Sequence, residues 1–220
     1  GHATATALPR IAAEVRQRAQ ADLFSPALVR ATVIITVAYM FHMLPFYFLL
    51  KWLPKIVVDM GFAPASAAGV LVWTNVGGAL GGLTLGLLTL RFGVKPLTIV
   101  VFLLTAVTVA LFGRAPADLQ RLALICACAG FGINAAIVGM YAIFAQAFPT
   151  HVRASGTGFA IGCARGASAA APIIAGFLFD LGYGRPTVAT LMSLGAIVSA
   201  LVLLALRVRP EWVESEATPG

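Results

Sequence analysis

Six long apolar segments, separated by short polar breaks, make up most of this 220-residue chain. They run at roughly residues 31–50, 66–90, 96–113, 120–147, 155–180 and 186–206. A helix of about 20 apolar residues is long enough to cross the hydrocarbon core of a bilayer. The breaks between the segments carry proline, glycine or charge, which are the residues that end helices. The pattern therefore predicts an all-α polytopic membrane helix bundle, with six transmembrane helices in a domain over residues 31–207.

The two ends of the chain differ from this apolar middle. Residues 1–30 are polar and basic, with apolar residues only partly at helical spacing, and we predict a cytoplasmic linker or surface helix there. Residues 208–220 form a short polar C-terminal tail that we predict to be disordered. The chain begins Gly-His rather than with Met, so we interpret it as an excerpt of a longer chain.

Composition and charge both favour a membrane protein. The chain is 60% hydrophobic and 10% charged, whereas soluble domains carry about 25% charged residues. Its net charge of +7 comes from lysines and arginines that punctuate the apolar segments, as the positive-inside rule describes, and not from a nucleic-acid-binding patch. With six spans both termini share one side, which holds nine basic residues against five on the other. We therefore expect a multi-pass protein of the cell (inner or plasma) membrane with both termini cytoplasmic and no nucleic-acid partner.

Nothing in the sequence indicates catalysis or a bound cofactor. Cys126, Cys128 and Cys163 lie inside apolar segments and form no CxxC pair, so we interpret them as small apolar filler. There is no Ser-His-Asp set, Walker loop or metal-ligand cluster. We expect a protein that is not an enzyme and that needs no cofactor or metal.

The six segments fall into two groups of three. The third and sixth are plain apolar stretches that we expect to be peripheral and to face lipid. The other four carry the glycines, aromatic residues and polar groups. Two featured helices and one plain helix, twice over, predict a three-plus-three arrangement of the kind that builds many transporters.

Arg165 is the most informative residue in the chain. It lies about 15 Å into the fifth segment, close to the membrane midplane, where a cation is costly and is usually functional. Gly158, Gly162 and Gly166 recur every four residues, so we expect Arg165 to lie on or beside a closely packed helix face. It could bind an anion or take part in gating, or it could pair with helix-end carbonyls or a carboxylate elsewhere. The cost of burial favours a functional role.

The first segment places aromatic and titratable groups on one side. Tyr39, His42 and Phe46 follow helical spacing and predict a shared face. His42 lies near mid-membrane, where it could bind substrate or take a proton, since imidazole titrates near physiological pH. It could equally be a neutral packing residue. No acidic residue lies in the middle of a span, so His42 is the only proton carrier at depth that this chain offers.

Two further segments contribute candidate substrate contacts. Asn134 and Tyr141 lie seven residues apart on one face of the fourth segment, and they would suit a ligand with a ring and oxygen atoms, although a structural role is as plausible. Asn75 in the second segment could bind substrate or a neighbouring helix. The glycines that follow Asn75 predict tight helix packing; they are Gly77, Gly78, Gly81, Gly82 and Gly86.

The loop after the second segment resembles a motif of the major facilitator superfamily. The family pattern is G-x-x-x-D-R-x-G-R-K, and the matching positions here are Gly86, Arg91, Gly93 and Lys95. Leu90 stands where the family has Asp. The resemblance implies a cytoplasmic loop that takes part in gating, on the side to which the charge count also assigns the termini.

The loop after the fourth segment resembles a second motif of the same family, E-x-x-P-x-x-x-R-x-x-G-x-G. Pro149, Arg153, Gly156 and Gly158 match it, and Gln146 replaces the acidic residue. Together the two loops imply that the six spans are helices seven to twelve, half of a twelve-helix major facilitator fold. The implied partner is the N-terminal six-helix half of the same transporter.

The finer resemblance is to the aromatic acid:proton symporter group. It rests on Lys51-Trp52-Leu53-Pro54, Gly77-Gly78, Ala164-Arg165-Gly166, Pro172 and Gly176. This resemblance implies a secondary transporter that moves a small organic, aromatic carboxylate with protons by alternating access, and it places the proton-coupling acids in the other half. The alternatives are a transporter of a dicarboxylate, sugar acid or drug, and a half-length membrane scaffold that does not transport.

Overall fold

A computed structural model describes residues 21–206, and this part of the chain is all helical. It contains six long helices, each apolar and long enough to cross a membrane. They are α1 (Val29–Asp59), α2 (Pro64–Leu88), α3 (Val94–Arg114), α4 (Leu119–Ala147), α5 (Thr150–Asp180) and α6 (Arg185–Leu204). The predicted all-α bundle of six membrane helices is confirmed. Most of the predicted N-terminal linker and the whole predicted tail lie outside the described residues.

The first helix extends well beyond the apolar segment that predicted it. We expected the first helix to end near residue 50, but α1 continues to Asp59 through Lys51 and Pro54. A salt bridge of 2.6 Å between Lys55 Nζ and Asp59 Oδ2, one turn apart, stabilises this end of α1. Charged residues thus end the apolar stretch without ending the helix.

The contacts between helices repeat after three helices. α2 packs along α4 as α5 packs along α1, and α3 packs on α4 as α6 packs on α1. The plain helices α3 and α6 pack on each other. Exchanging the first three helices with the last three therefore reproduces the main contacts, as the predicted three-plus-three arrangement requires.

Among the described residues, the plain helices α3 and α6 are not the most exposed ones. Half of the most apolar stretch of α3 and of α6 is buried, against 28% for α2 and 17% for α5. These two helices bury a face against each other, and their lipid-facing position stays a prediction. The two most exposed helices are the glycine-rich α2 and α5.

Contacts at the helix ends define two sides of the bundle. On one side, Lys95 after the α2–α3 turn donates to the carbonyl oxygens of Leu204 (3.0 Å) and Leu206 (2.5 Å). On the other side, Arg185 at the start of α6 donates to the carbonyl oxygen of Ala115, 2.7 Å away. The α2–α3 turn and the end of α6 therefore lie together, opposite the α3–α4 and α5–α6 turns.

Glycines bring α2 and α4 into backbone contact, as the small-residue spacing predicted. A Cβ at Gly77 would overlap the backbone of Ala127, and one at Gly81 would overlap the backbone of Phe131. From the other side, a Cβ at Gly130 would overlap the carbonyl of Thr74. Larger residues would force the two helices apart, so these glycines have a packing role.

Candidate substrate-binding site

A cavity of about 220 Å³ lies between α1, α4 and α5, and we call it the Arg165 cavity. Four aromatic rings and one cation lie in its wall. It is lined by Tyr39, Met43, Phe46, Tyr47, Ile137, Tyr141, Ile161, Ala164, Arg165 and Ser168. Of the predicted substrate-binding residues, the structure brings Arg165, Tyr39 and Tyr141 together here.

Arg165 lies at the middle of α5, on the edge of the face that lines the cavity. Ile161, Ala164 and Ser168 line the cavity from the same helix face, one turn before and after Arg165. Within residues 21–206 the Arg165 guanidinium has no hydrogen bond and no ion pair. Its five N–H donors are therefore available to a ligand or to groups outside these residues.

The glycine stripe of α5 is not packed within the described residues. A Cβ at Gly158, Gly162 or Gly166 would meet no atom within 4 Å. We expected this stripe to sit against another helix, and that prediction is wrong for residues 21–206. Among the described residues, α5 packs extensively only against α1, so the glycine face of α5 stays open. Arg165 lies between this open face and the cavity face.

Tyr39 and Tyr141 are neighbours in the wall of the cavity. Their hydroxyl oxygens are 3.3 Å apart and their ring centroids 6.1 Å apart. The ring of Phe144 packs edge-on against Tyr39, with centroids 5.4 Å apart. Tyr39 is buried (5% exposed) and Tyr141 is open to the cavity (46% exposed). The pair thus offers phenol oxygens to whatever occupies the cavity.

His42 lies outside the cavity, contrary to the prediction that it shares a face with Tyr39 and Phe46. It is fully buried, its ring packs on Phe102 with centroids 5.0 Å apart, and its Nε2 lies 3.1 Å from the carbonyl oxygen of Ile133. At about 100° per residue, a spacing of three turns a side chain about 60° away from its neighbour's direction. That rotation directs His42 towards α3 and α4.

The His42 hydrogen bond also fixes its tautomer. A carbonyl only accepts, so Nε2 must carry the hydrogen, and Nδ1 is left without a partner among the described residues. A second proton, on Nδ1, would have no acceptor there. The geometry therefore favours the packing role over the proton-carrying role.

Asn75 and Asn134 line a separate recess of about 30 Å³. Asn134 shares a helix face with Tyr141, but seven residues separate them by about 10 Å along α4, so the two do not line one cavity. Each amide donates to its own helix, Asn75 to the carbonyl of Leu71 (2.8 Å) and Asn134 to that of Gly130 (3.1 Å). Phe46 borders both the recess and the Arg165 cavity.

In the first loop motif, Lys95 connects the α2–α3 turn to the C-terminal end of α6. Lys95 donates to the carbonyl of Leu204, the last residue of α6, where the helix dipole is negative, and to that of Leu206 just beyond the helix. Gly86, Arg91 and Gly93 are exposed around the same turn. Gly93 immediately precedes the first residue of α3.

Two positions of the second loop motif, Arg153 and Gly156, have a packing explanation. Pro149 directly precedes α5, and Arg153 Nε donates to the carbonyl of Phe148, 3.3 Å away. Phe148 is buried, and a Cβ at Gly156 would lie 2.8 Å from its ring. Gly156 therefore allows Phe148 to fold back over the first turns of α5.

Sequence reasoning missed Ser168 as a cavity residue. Its hydroxyl donates to the carbonyl of Ala164 at 2.9 Å and lies on the same face as Arg165. The spacing of three residues from Arg165 was the available signal.

A second cavity of about 520 Å³ lies near the C-terminal ends of α1 and α5, with Trp52, Lys55 and Arg185 in its wall. No pattern in the sequence had indicated it.

Several proteins similar to this chain are named as transporters of aromatic acids. The chain is 29% identical over 191 residues to the 3-(3-hydroxy-phenyl)propionate transporter of Escherichia coli, covering 85% of this chain and 46% of that protein. It is 27% identical over 184 residues to the gallate transporter of Pseudomonas putida, covering 84% and 41%. A benzoate transport protein of Acinetobacter baylyi is 32% identical over 135 residues, covering 61% and 29%. The chain spans less than half the length of these relatives.

The structural comparison and the family model both agree with the resemblance that the two loop motifs indicated. The structure resembles that of a proton:xylose symporter of the major facilitator superfamily with a TM-score of 0.67 at 14% identity, covering 87% of this chain and 47% of that one. The family model of the Major Facilitator Superfamily matches residues 35–219. Its members are membrane transporters and not enzymes. The chain belongs to the major facilitator superfamily, as a multi-pass membrane protein with six of its helices in the described residues.

Proposed function

We propose that this chain is the C-terminal half of a secondary transporter that moves a small aromatic carboxylate with protons by alternating access. The observation that carries the proposal is Arg165, a cation without a counter-charge among residues 21–206, at the edge of a cavity walled by aromatic rings. A carboxylate would form charge-assisted, bidentate hydrogen bonds with the guanidinium. The ring attached to it would pack against the tyrosine and phenylalanine rings.

The wall of the cavity supports a cargo with a ring. Four aromatic rings line it, and a ring of the cargo can stack on them. Its aromatic wall also favours an aromatic acid over a sugar acid or a dicarboxylate, which would need polar groups at both ends. The names of the relatives, which include gallate and benzoate transporters, point to the same class.

A scaffold that does not transport is the weaker alternative. The loss of acidic residues at Leu90 and Gln146 first gave that idea weight. The two loops nonetheless keep specific contacts, since Lys95 caps α6 and Gly156 accommodates Phe148. An uncompensated cation at mid-helix serves no packing purpose in a scaffold, which supports transport.

The proposed transporter is completed by a second six-helix half, which we expect to cover the open faces of α2 and α5. No Asp or Glu of residues 21–206 lines the Arg165 cavity, so we expect the proton-carrying carboxylate in that second half. The positive-inside rule supports a location in the cell membrane with both termini cytoplasmic. We refer below to the two halves together as the complete transporter.

The decisive test removes the charge of Arg165 in the complete transporter. We expect Arg165→Gln to abolish uptake of benzoate and 4-hydroxybenzoate, and also the thermal stabilisation that these acids give the purified protein. Arg121→Gln is the matched control, because Arg121 is exposed and its only close carboxylate among the described residues is Asp118. Normal uptake by Arg165→Gln would contradict the proposed anion site.

The ligand-free stability of the same variant separates the two partners that Arg165 could have. If a carboxylate of the second half pairs with Arg165, its removal leaves a buried charge unpaired and the ligand-free protein becomes less stable. If the substrate is the partner, Arg165→Gln leaves ligand-free stability unchanged or higher. We expect the second result, measured as the unfolding midpoint without ligand.

A further inference from the structure

The tyrosines of this chain are concentrated at one place. It has four, and three of them, Tyr39, Tyr47 and Tyr141, line the Arg165 cavity. The fourth, Tyr183, is exposed in the turn between α5 and α6. A cavity that needed only apolar ring contacts would be served by phenylalanine, so the phenol oxygens require an explanation of their own.

The hydroxyl groups in this cavity have unused hydrogen-bonding capacity. The 3.3 Å between the oxygens of Tyr39 and Tyr141 is longer than the roughly 2.7–2.8 Å of a usual O–H···O bond. That contact uses one of the two hydroxyl hydrogens. The Tyr47 hydroxyl has no hydrogen bond to any group within residues 21–206. Phenol oxygens in an apolar setting normally have a partner.

We infer that Tyr39 and Tyr141 recognise a hydroxyl group on the ring of the cargo, so that the site prefers hydroxylated aromatic carboxylates to unsubstituted ones. The inference rests on the proposed function. A ring hydroxyl near the pair can accept a hydrogen bond from one phenol and donate one to the other. One long contact is then replaced by two bonds of normal length, while Arg165 holds the carboxylate.

The expected preference is moderate. A site whose polar groups are left wholly unpaired by an analogue can reject it by large factors. Here Tyr39 and Tyr141 keep their mutual contact when the ring hydroxyl is absent, so about one net hydrogen bond is at stake. That corresponds to about a tenfold difference in affinity.

The test compares dissociation constants of the complete transporter for benzoate, 3-hydroxybenzoate, 4-hydroxybenzoate and 4-methoxybenzoate. We expect at least one hydroxybenzoate to bind about ten times more tightly than benzoate, and 4-methoxybenzoate, which cannot donate, to lose that advantage. Tyr39→Phe and Tyr141→Phe should each reduce the preference to about twofold or less. Tyr183→Phe, the matched control, should retain it.

The outcomes separate the inference from the function on which it rests. Equal affinity of the wild-type protein for benzoate and both hydroxybenzoates would overturn the inference and leave the carboxylate site standing. A preference that survives in both Tyr→Phe variants would overturn it too. Absence of binding of any of the four acids to the wild-type protein would overturn the proposed function itself. Should either variant fail to fold, the wild-type affinities for benzoate and the two hydroxybenzoates still decide.

Discussion

Trp52 in α1 donates its indole N–H to the carbonyl oxygen of Pro172 in α5, across 3.2 Å. The same ring lies 4.8 Å from the ring of Phe179, and a Cβ at Gly176 would come within 3.3 Å of it. One side chain therefore joins the C-terminal halves of the two helices that carry Tyr39 and Arg165. This contact also accounts for three positions that in the sequence were only a resemblance to a subgroup.

Replacing Trp52 by Phe tests this contact. The variant keeps an aromatic ring but loses the hydrogen bond to Pro172, so we expect a loss of about 1 kcal/mol in stability. The measurement is the thermal unfolding midpoint of the complete transporter in detergent. Trp73→Phe is the matched control, since Trp73 is exposed and has no hydrogen bond in the described part of the chain. Equal midpoints for the two variants would show that the Trp52 bond contributes nothing.

Gly81→Ala tests the backbone contact between α2 and α4. A Cβ there would overlap the Phe131 carbonyl, which belongs to a helix backbone and cannot change rotamer. We expect overpacking to cost about 1–3 kcal/mol or more, seen as a lower unfolding midpoint. Gly69→Ala on the same helix is the control, because no atom of the described residues lies within 4 Å of its Cβ position. A Gly81→Ala protein as stable as the control would contradict the close approach of α2 and α4.

Gly156→Ala tests the fold of the second loop motif. The new Cβ would lie 2.8 Å from the buried ring of Phe148, and we expect about 1–3 kcal/mol of destabilisation. Because the clash is with a side chain, the second change Phe148→Leu should recover part of that loss in the double variant. A double-mutant cycle of unfolding free energies measures the recovery. Strictly additive losses would mean that Gly156 matters for another reason, such as a contact with the second half.

His42→Gln tests whether this imidazole carries the coupled proton. His42 is fully buried and bonded to the Ile133 carbonyl, so we expect the pH dependence of uptake to keep its wild-type shape. Stability should fall because the ring contact with Phe102 is lost. The measurement is initial uptake rate across a pH series, with the exposed His151→Gln as control. A flattened pH profile in His42→Gln alone would give His42 the proton-carrying role.

Helix periodicity and glycine spacing predicted much of this structure. Apolar length alone identified the six spans, because burying backbone in lipid leaves a helix as the only available form for such segments. The spacing of Gly77 and Gly81 indicated close packing, and the structure shows them in backbone contact with α4. Arg165 lines a cavity with Tyr39 and Tyr141, and its role there stays a prediction.

The sequence could not indicate which side chains share a cavity. Tyr39 and His42 are three residues apart, yet the angle between them is enough to send one to the cavity and the other to α3 and α4. Asn134 and Tyr141 do share a face, but the distance along the helix separates their recesses. These outcomes depend on where α1, α4 and α5 cross, which is a property of tertiary packing and not of any one helix.

The open glycine face of α5 has a mechanical consequence. Gly158, Gly162 and Gly166 present a surface without side chains and without a neighbour within the described residues. A helix packed on this smooth face would meet no α5 side chains that interlock with its own. It could therefore slide along α5 without any change of rotamer in α5. Arg165 lies at the border of this glycine face and would move with α5 relative to the opposite helix. A cargo bound to Arg165 would therefore be displaced by the same movement.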